Sequence, residues 1–174
     1  MRKLADVERV TLFMQVLGGA TDEPARVYFT GGATAVLLGW RATTIDVDIW
    51  PIPDSDALLR ALPELKERLE INVELASPAN FIPELPGWET RSRFVAQENK
   101  LSFLHYDLYS QALAKIERSH AQDVSDVQEM LRRSLIEPQI AWGFFQDIER
   151  RLYRYPAIDP SAFRRRVREV LRVD

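Results

Sequence analysis

The chain has 174 residues, of which 46% are hydrophobic and 28% charged, with a formal net charge of -3, and these values are typical of one globular domain. It contains no cysteine and two histidines, which excludes disulfide frameworks, thiolate metal sites and cysteine nucleophiles, and argues against a multi-histidine zinc site. No apolar run approaches the roughly 20 residues of a membrane span, and acidic residues interrupt the apolar pattern near the N-terminus, so we expect a cytoplasmic protein that does not contact a membrane.

The first part of the chain alternates helical and strand patterns. Apolar residues at three- and four-residue spacing predict an amphipathic helix over 4–17, which Gly18-Gly19 should end in a left-handed conformation. Two further helices are predicted over 33–40 and from a cap at Asp54 or Ser55 to Glu70. Runs of β-branched and aromatic residues predict strands at 27–30, 45–50, 71–75, 92–97 and 100–105. The proline-rich stretch 77–88 should be a loop.

The remainder of the chain is predicted to be helical. Its helices are expected at 108–118, 123–134, 138–154 and 160–172, the last with Asp159 as N-cap and Pro160 at its first position. The whole order predicts an α/β (α+β) fold, with a small mixed sheet flanked by helices. We expect residues 1–106 to form this core and residues 107–174 to form a helical region packed on it as a single compact unit.

Two acidic residues alternate along one predicted strand. Asp46 and Asp48 should share a face, with Val47 and Ile49 on the other. Two ionised carboxylates repel each other, and a hard divalent cation with oxygen ligands relieves that repulsion. Glu74, on a neighbouring predicted strand, would complete a carboxylate triad. The alternative is an exposed, solvated strand face.

Gly31-Gly32 follows a predicted strand and precedes a predicted helix. Bare backbone at such a turn lets a phosphate approach the helix N-terminus. The alternative is an ordinary turn.

These residues together resemble the signature of the DNA polymerase beta-like nucleotidyltransferase superfamily. Gly31-Gly32 is followed after thirteen residues by Asp-hydrophobic-Asp-hydrophobic (46–49), and Glu74 matches the later acidic residue of that signature. The stretch 30–48 is similar to minimal bacterial nucleotidyltransferases: abortive-infection type IV toxins, tRNA-modifying toxins, and a related group named only as nucleotidyltransferases. In those groups an arginine and a threonine precede the first aspartate, where this chain has Arg41, Thr43 and Thr44.

A second block, residues 107–127, is similar to a helical block of the same families. Lys115 matches a lysine that the resemblance casts as a triphosphate ligand, and Asp123 and Asp126 match an acidic pair. From the residues alone, Lys115 lies beside an apolar helix face, and the alternative is that it extends outwards to solvent and contributes little to stability. The alternative for Asp123 is a helix N-cap.

The resemblance implies transfer of a nucleoside monophosphate from an NTP to an acceptor hydroxyl, with Mg²⁺ or Mn²⁺ as cofactor. It assigns the metal and the catalysis to Asp46, Asp48 and Glu74. It assigns the nucleotide to Gly31, Gly32, Arg41, Thr44, Lys115 and Asp123. Many members have Gly-Ser where this chain has Gly31-Gly32, so one hydroxyl ligand of the phosphates is missing here.

The acceptor stays open at this stage. Residues 150–174 hold eight arginines, which suits an RNA acceptor such as a tRNA 3′ end and the toxin of a toxin–antitoxin pair. The alternatives are a hydroxyl of a partner protein, as for an antitoxin that modifies its cognate toxin, and a non-catalytic protein that binds nucleotide or a partner. The arginines themselves could be a solvated helix face.

Overall fold

A computed structural model describes residues 2–174, which form two compact units. Unit 1 comprises the chain up to Ser77 together with Arg93–Tyr106, and unit 2 comprises Pro78–Ser92 together with Asp107–Asp174. The predicted proline-rich loop therefore belongs with the helical part of the chain.

Unit 1 is a five-stranded mixed sheet with three helices, as the sequence predicts. Its helices are α1 (Val7–Gly18), α2 (Gly31–Leu37) and α3 (Asp56–Leu69). Its strands are β1 (Ala25–Thr30), β2 (Asp46–Ile52), β3 (Asn72–Leu75), β4 (Arg93–Glu98) and β5 (Leu101–His105). The strand order is β3-β2-β1-β5-β4, with β1 antiparallel to β2 and parallel to β5, β2 parallel to β3, and β4 antiparallel to β5.

The two faces of this sheet differ in composition. Alternate residues of the central strands enter a buried core with leucines of α3 and the apolar face of α1. The core side chains of β1 and β2 are Ala25, Val27, Phe29, Val47 and Ile49. Because side chains alternate along a strand, the opposite face of β2 carries Asp46 and Asp48, each half-exposed. We call this second surface the acidic face.

Helix ends in unit 1 follow the predicted capping chemistry with one exception. Ser55 caps α3 by accepting from Leu58 N, so the cap is Ser55 and not Asp54. The expected left-handed glycine stop after α1 is wrong, because Gly19 has φ -79° and continues the right-handed turn. Its N–H bonds to the Gln15 carbonyl at 3.2 Å, which satisfies the last turn without a change of hand.

Unit 2 is helical. Its helices are α4 (Trp88–Arg91), α5 (Leu108–Arg118), α6 (Ala121–Arg132), α7 (Pro138–Glu149) and α8 (Pro160–Leu171). Phe145 stacks on Trp142 at 5.3 Å between centroids and meets Phe163 edge-on at 5.0 Å, which joins α7 to α8. The predicted continuous helix 138–154 is wrong: α7 ends at Glu149, and a separate 3₁₀ turn spans Leu152–Arg154. Asp159 caps α8 as predicted, accepting from Ala162 N at 3.1 Å.

A partly buried ion pair joins α4, which follows the proline-rich stretch, to Asp107, the N-cap of α5. Arg91 donates from Nε and Nη2 to the two carboxylate oxygens of Asp107, at 3.1 and 2.8 Å. The Arg91 guanidinium also lies 4.1 Å from the centre of the Phe144 ring. The predicted loop 77–88 contains a 3₁₀ turn at Pro78–Asn80, and α4 begins at its last residue, Trp88.

Within residues 2–174, no helix combines the length and the apolar character that crossing a bilayer requires; the longest, α3, has 14 residues.

We expect His105 to make the stability of the fold depend on pH. It is buried on the core side of β5, with Nδ1 3.1 Å from Thr34 Oγ1, and burial followed by the nearby Arg93 charge lowers its pKa to about 4 from an ordinary 6.5. Below pH 6.5 the His105 imidazole binds a proton in the unfolded chain but stays neutral in the folded chain. We therefore expect the free energy of unfolding to fall by about 3 kcal/mol between pH 6.5 and 4. Urea unfolding at several pH values measures this.

His105→Asn should remove that part of the pH dependence while lowering stability at neutral pH. The exposed His120 provides the matched control, since His120→Asn should leave the pH profile of the wild type unchanged. An unaltered slope between pH 6.5 and 4 in His105→Asn would show that other groups cause the acid sensitivity.

Candidate functional site

The strand register brings two of the predicted site residues, Asp48 and Glu74, into one row. Thr30 of β1 pairs with Asp48 of β2, and Asp48 pairs with Glu74 of β3. In the next row, Asp46 pairs with Asn72. Paired residues on neighbouring strands project their side chains to the same face. The structure therefore brings Asp46, Asp48 and Glu74 together on the acidic face, as the sequence pattern predicts.

Gly31 allows the chain to turn against the carboxylate of Asp48. It follows Thr30 at the end of β1, begins α2 and has φ +59°, which disfavours residues with a side chain. A Cβ at this position would lie 2.7 Å from Asp48 Oδ2. The backbone conformation thus favours glycine here, and a Cβ would displace the Asp48 carboxylate, so the backbone of the turn lies beside a candidate metal ligand.

Gly32 is packed against Thr44 and Arg41, two residues of the stretch that precedes Asp46. A Cβ at Gly32 would overlap Thr44 Oγ1 and would lie 2.7 Å from Thr44 Cβ and 3.3 Å from Arg41 Nη1. Thr44 is buried, and its hydroxyl donates to the Asp46 carbonyl at 3.0 Å. The space that a serine at position 32 would need is therefore filled by a threonine hydroxyl from another segment.

Gly32→Ala is expected to destabilise the fold by about 1–3 kcal/mol, the usual cost of overpacking a filled site. The methyl group would have to displace the Thr44 side chain and disturb its bond to Asp46. Thermal or urea unfolding measures the loss.

Gly143 in α7 is the matched control for this substitution. A Cβ there meets no atom within 4 Å, so Gly143→Ala should stabilise the helix by about 0.5–1 kcal/mol. Equal stability of Gly32→Ala and wild type would contradict the close packing of Thr44 on Gly32.

Asn72 belongs to the acidic face but was missed by the sequence prediction. Its Nδ2 lies 2.6 Å from Asp46 Oδ1 and 3.1 Å from Glu74 Oε1, and Arg2 Nη1 donates to its Oδ1 at 3.0 Å. The alternation of the strand was the available signal, since Asn72 stands two residues before Glu74 and must share its face.

The donors of the acidic face suit a hard divalent cation. Carboxylate oxygens are the ligands that Mg²⁺ and Mn²⁺ take, and Mg²⁺ is commonly held by one or two carboxylates together with water and substrate phosphates. Within residues 2–174, no three acidic, histidine or cysteine side chains converge into a preformed metal cage. The face thus offers Asp46 and Asp48 as a pair, with Glu74 in register beside them, and its chemistry fits the implied metal.

Lys115 and Asp123 lie in unit 2, in a buried network of charges. Lys115 Nζ is 2.8 Å from Asp126 Oδ2 and 3.2 Å from Asp123 Oδ1, and Arg118 also bonds to Asp123. Lys115 is 6% exposed, Asp123 3% and Asp126 0%. The prediction that Lys115 extends outwards to solvent is therefore wrong, because the carboxylates of Asp123 and Asp126 bind it in the interior. The N-cap role for Asp123 is also wrong, because His120 occupies the cap position and Asp123 lies in the first turn.

The C-terminal arginines divide into two groups. Arg164 is paired with Glu149 at 2.7 Å, and Arg166 donates to the carbonyls of Ile116 and Glu117 at the end of α5. Arg165 and Arg168 are exposed on α8, with Arg165 3.9 Å from Glu169. Part of the arginine cluster therefore serves packing within unit 2, and part remains on the surface.

Comparison with known proteins identifies a family. A family model described as "Nucleotidyltransferase of unknown function (DUF6036)" matches residues 5–152, which is most of the chain. No curated protein and no solved structure matches the chain significantly. The matched region contains both the acidic face and the lysine network, and it supports the resemblance at the level of the nucleotidyltransferases.

Proposed function

The chain belongs to this family of nucleotidyltransferases, and we propose that it transfers a nucleoside monophosphate from an NTP to an acceptor hydroxyl on the acidic face. Family membership implies an NTP substrate and a divalent metal. The observation that carries the assignment to these residues is the row Thr30–Asp48–Glu74, with the Gly31 backbone against Asp48. Asp46, Asp48 and Glu74 would hold the metal.

Each part of this face has a role in the proposed reaction. A bound divalent cation would neutralise charge on the triphosphate and lower the pKa of the acceptor hydroxyl. Asp46 and Asp48 would hold this cation, and Glu74 would accept the proton of the acceptor hydroxyl. The acceptor oxygen forms a bond to the α-phosphorus while the bond from the α-phosphorus to the bridging oxygen breaks and pyrophosphate leaves.

The turn beside Asp48 supplies the proposed phosphate ligands. The backbone N–H groups of Gly31 and Gly32 can donate to phosphate oxygens, and the Arg41 guanidinium beside Gly32 adds a positive charge. The Thr44 hydroxyl lies where the Cβ of a serine at position 32 would stand. This packing supports a phosphate site that functions without a serine at position 32.

The direct test is transfer of label. The full chain is incubated with each α-labelled NTP, with Mg²⁺ or Mn²⁺, and with total tRNA or cellular protein as acceptor. Label in tRNA is the result we expect. Label in protein would support the alternative of an enzyme that modifies a partner protein. Absence of label from both acceptors, with a tightly held cognate protein, would favour a non-catalytic partner.

For the acceptor, we propose a tRNA 3′ hydroxyl and a role as the toxin of a toxin–antitoxin pair. The likeness of residues 30–48 to minimal bacterial nucleotidyltransferases, which include tRNA-modifying toxins, supports this acceptor. The exposed cations of α8 support it too, because basic side chains bind the phosphates of RNA.

The double substitution Arg165→Glu and Arg168→Glu should weaken tRNA binding and flatten its salt dependence, by about one unit of slope for each lost phosphate contact. Affinity measured over a range of salt concentrations shows both effects, and NTP binding should be unchanged. Arg60→Glu with Lys66→Glu on α3 provides the same change of charge elsewhere and should have a smaller effect. Equal effects of the two pairs would show that α8 is only a solvated face.

A further inference from the structure

Asn72 bridges two of the three candidate metal-binding carboxylates. It is the first residue of β3 and pairs with Asp46, the first residue of β2. Its Nδ2 lies within hydrogen-bonding distance of both Asp46 Oδ1 and Glu74 Oε1, at 2.6 and 3.1 Å. A side-chain amide carries two N–H groups on this nitrogen, so it can donate one to each carboxylate. Asn72 thus ties a carboxylate of one strand to a carboxylate of the next.

Arg2 selects the orientation of this amide. Arg2 Nη1 donates to Asn72 Oδ1 at 3.0 Å and to the Ile71 carbonyl at 3.2 Å, and Arg2 Nη2 donates to Glu67 Oε1 at 3.1 Å. If the amide turned over, its oxygen would face two carboxylates and its NH₂ group would face a guanidinium. Both contacts would be repulsive, so the bond from Arg2 keeps the two N–H groups directed at the acids.

We propose that Asn72 is a positioning residue, which holds Asp46 and Glu74 ready to bind a divalent cation. Each carboxylate gives one oxygen to the amide and keeps its other oxygen for the metal. Hydrogen bonds to ligating carboxylates commonly tune metal affinity, and their loss costs about 10–100-fold. The inference rests on the proposed function, because it concerns the metal ligands of that reaction.

A purely structural role makes a different prediction. If Asn72 only joined the ends of β2 and β3, its loss would lower the melting temperature and leave metal affinity unchanged. A positioning role moves metal affinity in the isolated protein, before any nucleotide or acceptor is present.

The test measures the binding of Mn²⁺ to the full chain, without nucleotide, by electron paramagnetic resonance. Asn72→Ala should weaken Mn²⁺ affinity by about tenfold or more. Excess Mn²⁺ should restore much of the transfer rate, because Asp46, Asp48 and Glu74 remain. Gln15→Ala removes an exposed amide of α1 and is the matched control, with affinity expected at the wild-type value. Wild-type Mn²⁺ affinity in Asn72→Ala would overturn the proposal.

Arg2→Gln provides a second variant, which leaves Asn72 in place and removes the guanidinium that orients it. Mn²⁺ affinity should fall in the same direction by a smaller factor, and an unchanged affinity would overturn the proposal even if Asn72→Ala failed to fold. Asp48→Asn separates this inference from the function itself. Loss of Mn²⁺ binding in Asp48→Asn beside full binding in Asn72→Ala rejects only the role of Asn72, whereas a wild-type chain that binds no Mn²⁺ and transfers no label rejects both.

Discussion

Asp48→Asn is expected to lower nucleotidyl transfer by on the order of a thousandfold, because it removes a charged ligand at the point where charge develops in the reaction. Asp48 occupies the centre of the row between Thr30 and Glu74, and its Oδ2 faces the backbone of Gly31. Asparagine has nearly the same shape and relieves the repulsion from Asp46, so the fold should be retained. Initial rates with labelled NTP, together with a melting curve, measure both properties.

The control for this substitution is Asp56→Asn, since Asp56 is an exposed aspartate in the first turn of α3. It should transfer nucleotide at the wild-type rate. Asp46→Asn should behave like Asp48→Asn, because both carboxylates would hold the metal. Wild-type turnover in either acidic-face variant would remove the metal role from that residue, and unfolding of both would show that the pair is structural.

Lys115→Ala is expected to destabilise the protein by about 3–5 kcal/mol, the usual cost of leaving a buried charge without its partner. Lys115 neutralises Asp126 and shares Asp123 with Arg118, and all three buried residues are at most 6% exposed. Removing the ammonium group leaves Asp126 in the interior without this cation. Urea unfolding measures the change, and Arg132→Ala, which breaks an exposed pair on α6, should change stability far less.

A charge-balanced variant separates this structural role from the predicted binding of the triphosphate. Lys115→Met combined with Asp126→Asn removes one positive and one negative charge, so most of the stability should return. If Lys115 binds the outer phosphates, the double variant should still bind NTP more weakly than wild type while NMP binding is unchanged. Equal NTP affinity in the double variant and wild type would make Lys115 a structural residue only.

Local patterns predicted the elements that carry the site, because strand alternation and capping act over a few residues. The alternation 46–49 placed Asp46 and Asp48 on one face, and Asp159-Pro160 marked the start of α8. The register was beyond such patterns, since the pairing of Asp48 with Glu74 joins residues 26 positions apart. Alternation along β3 places Asn72 on the face of Glu74, but the contact of Asn72 with Asp46 depends on this register.

Burial of charge was the other property that local patterns misjudged. Lys115 lies beside an apolar helix face, and a lysine there ordinarily reaches solvent. It stays inside because α6 brings Asp123 and Asp126 to it, and a helical spacing on α5 alone contains no information about that partner. Predicting it would have required the packing of α5 against α6.

Because β3 lies at the edge of the sheet, local unfolding of this strand would take the candidate metal site apart. β3 has four residues and pairs with β2 on one side only, so it can fray without opening the core beneath β1 and β2. Each such opening would carry Glu74 and Asn72 away from Asp46 and Asp48. A cation bound across β2 and β3 would oppose this local unfolding, so slower hydrogen exchange at Asn72–Leu75 would accompany metal binding. Binding of the cation would then hold Glu74 in place and so complete the site to which the cation binds.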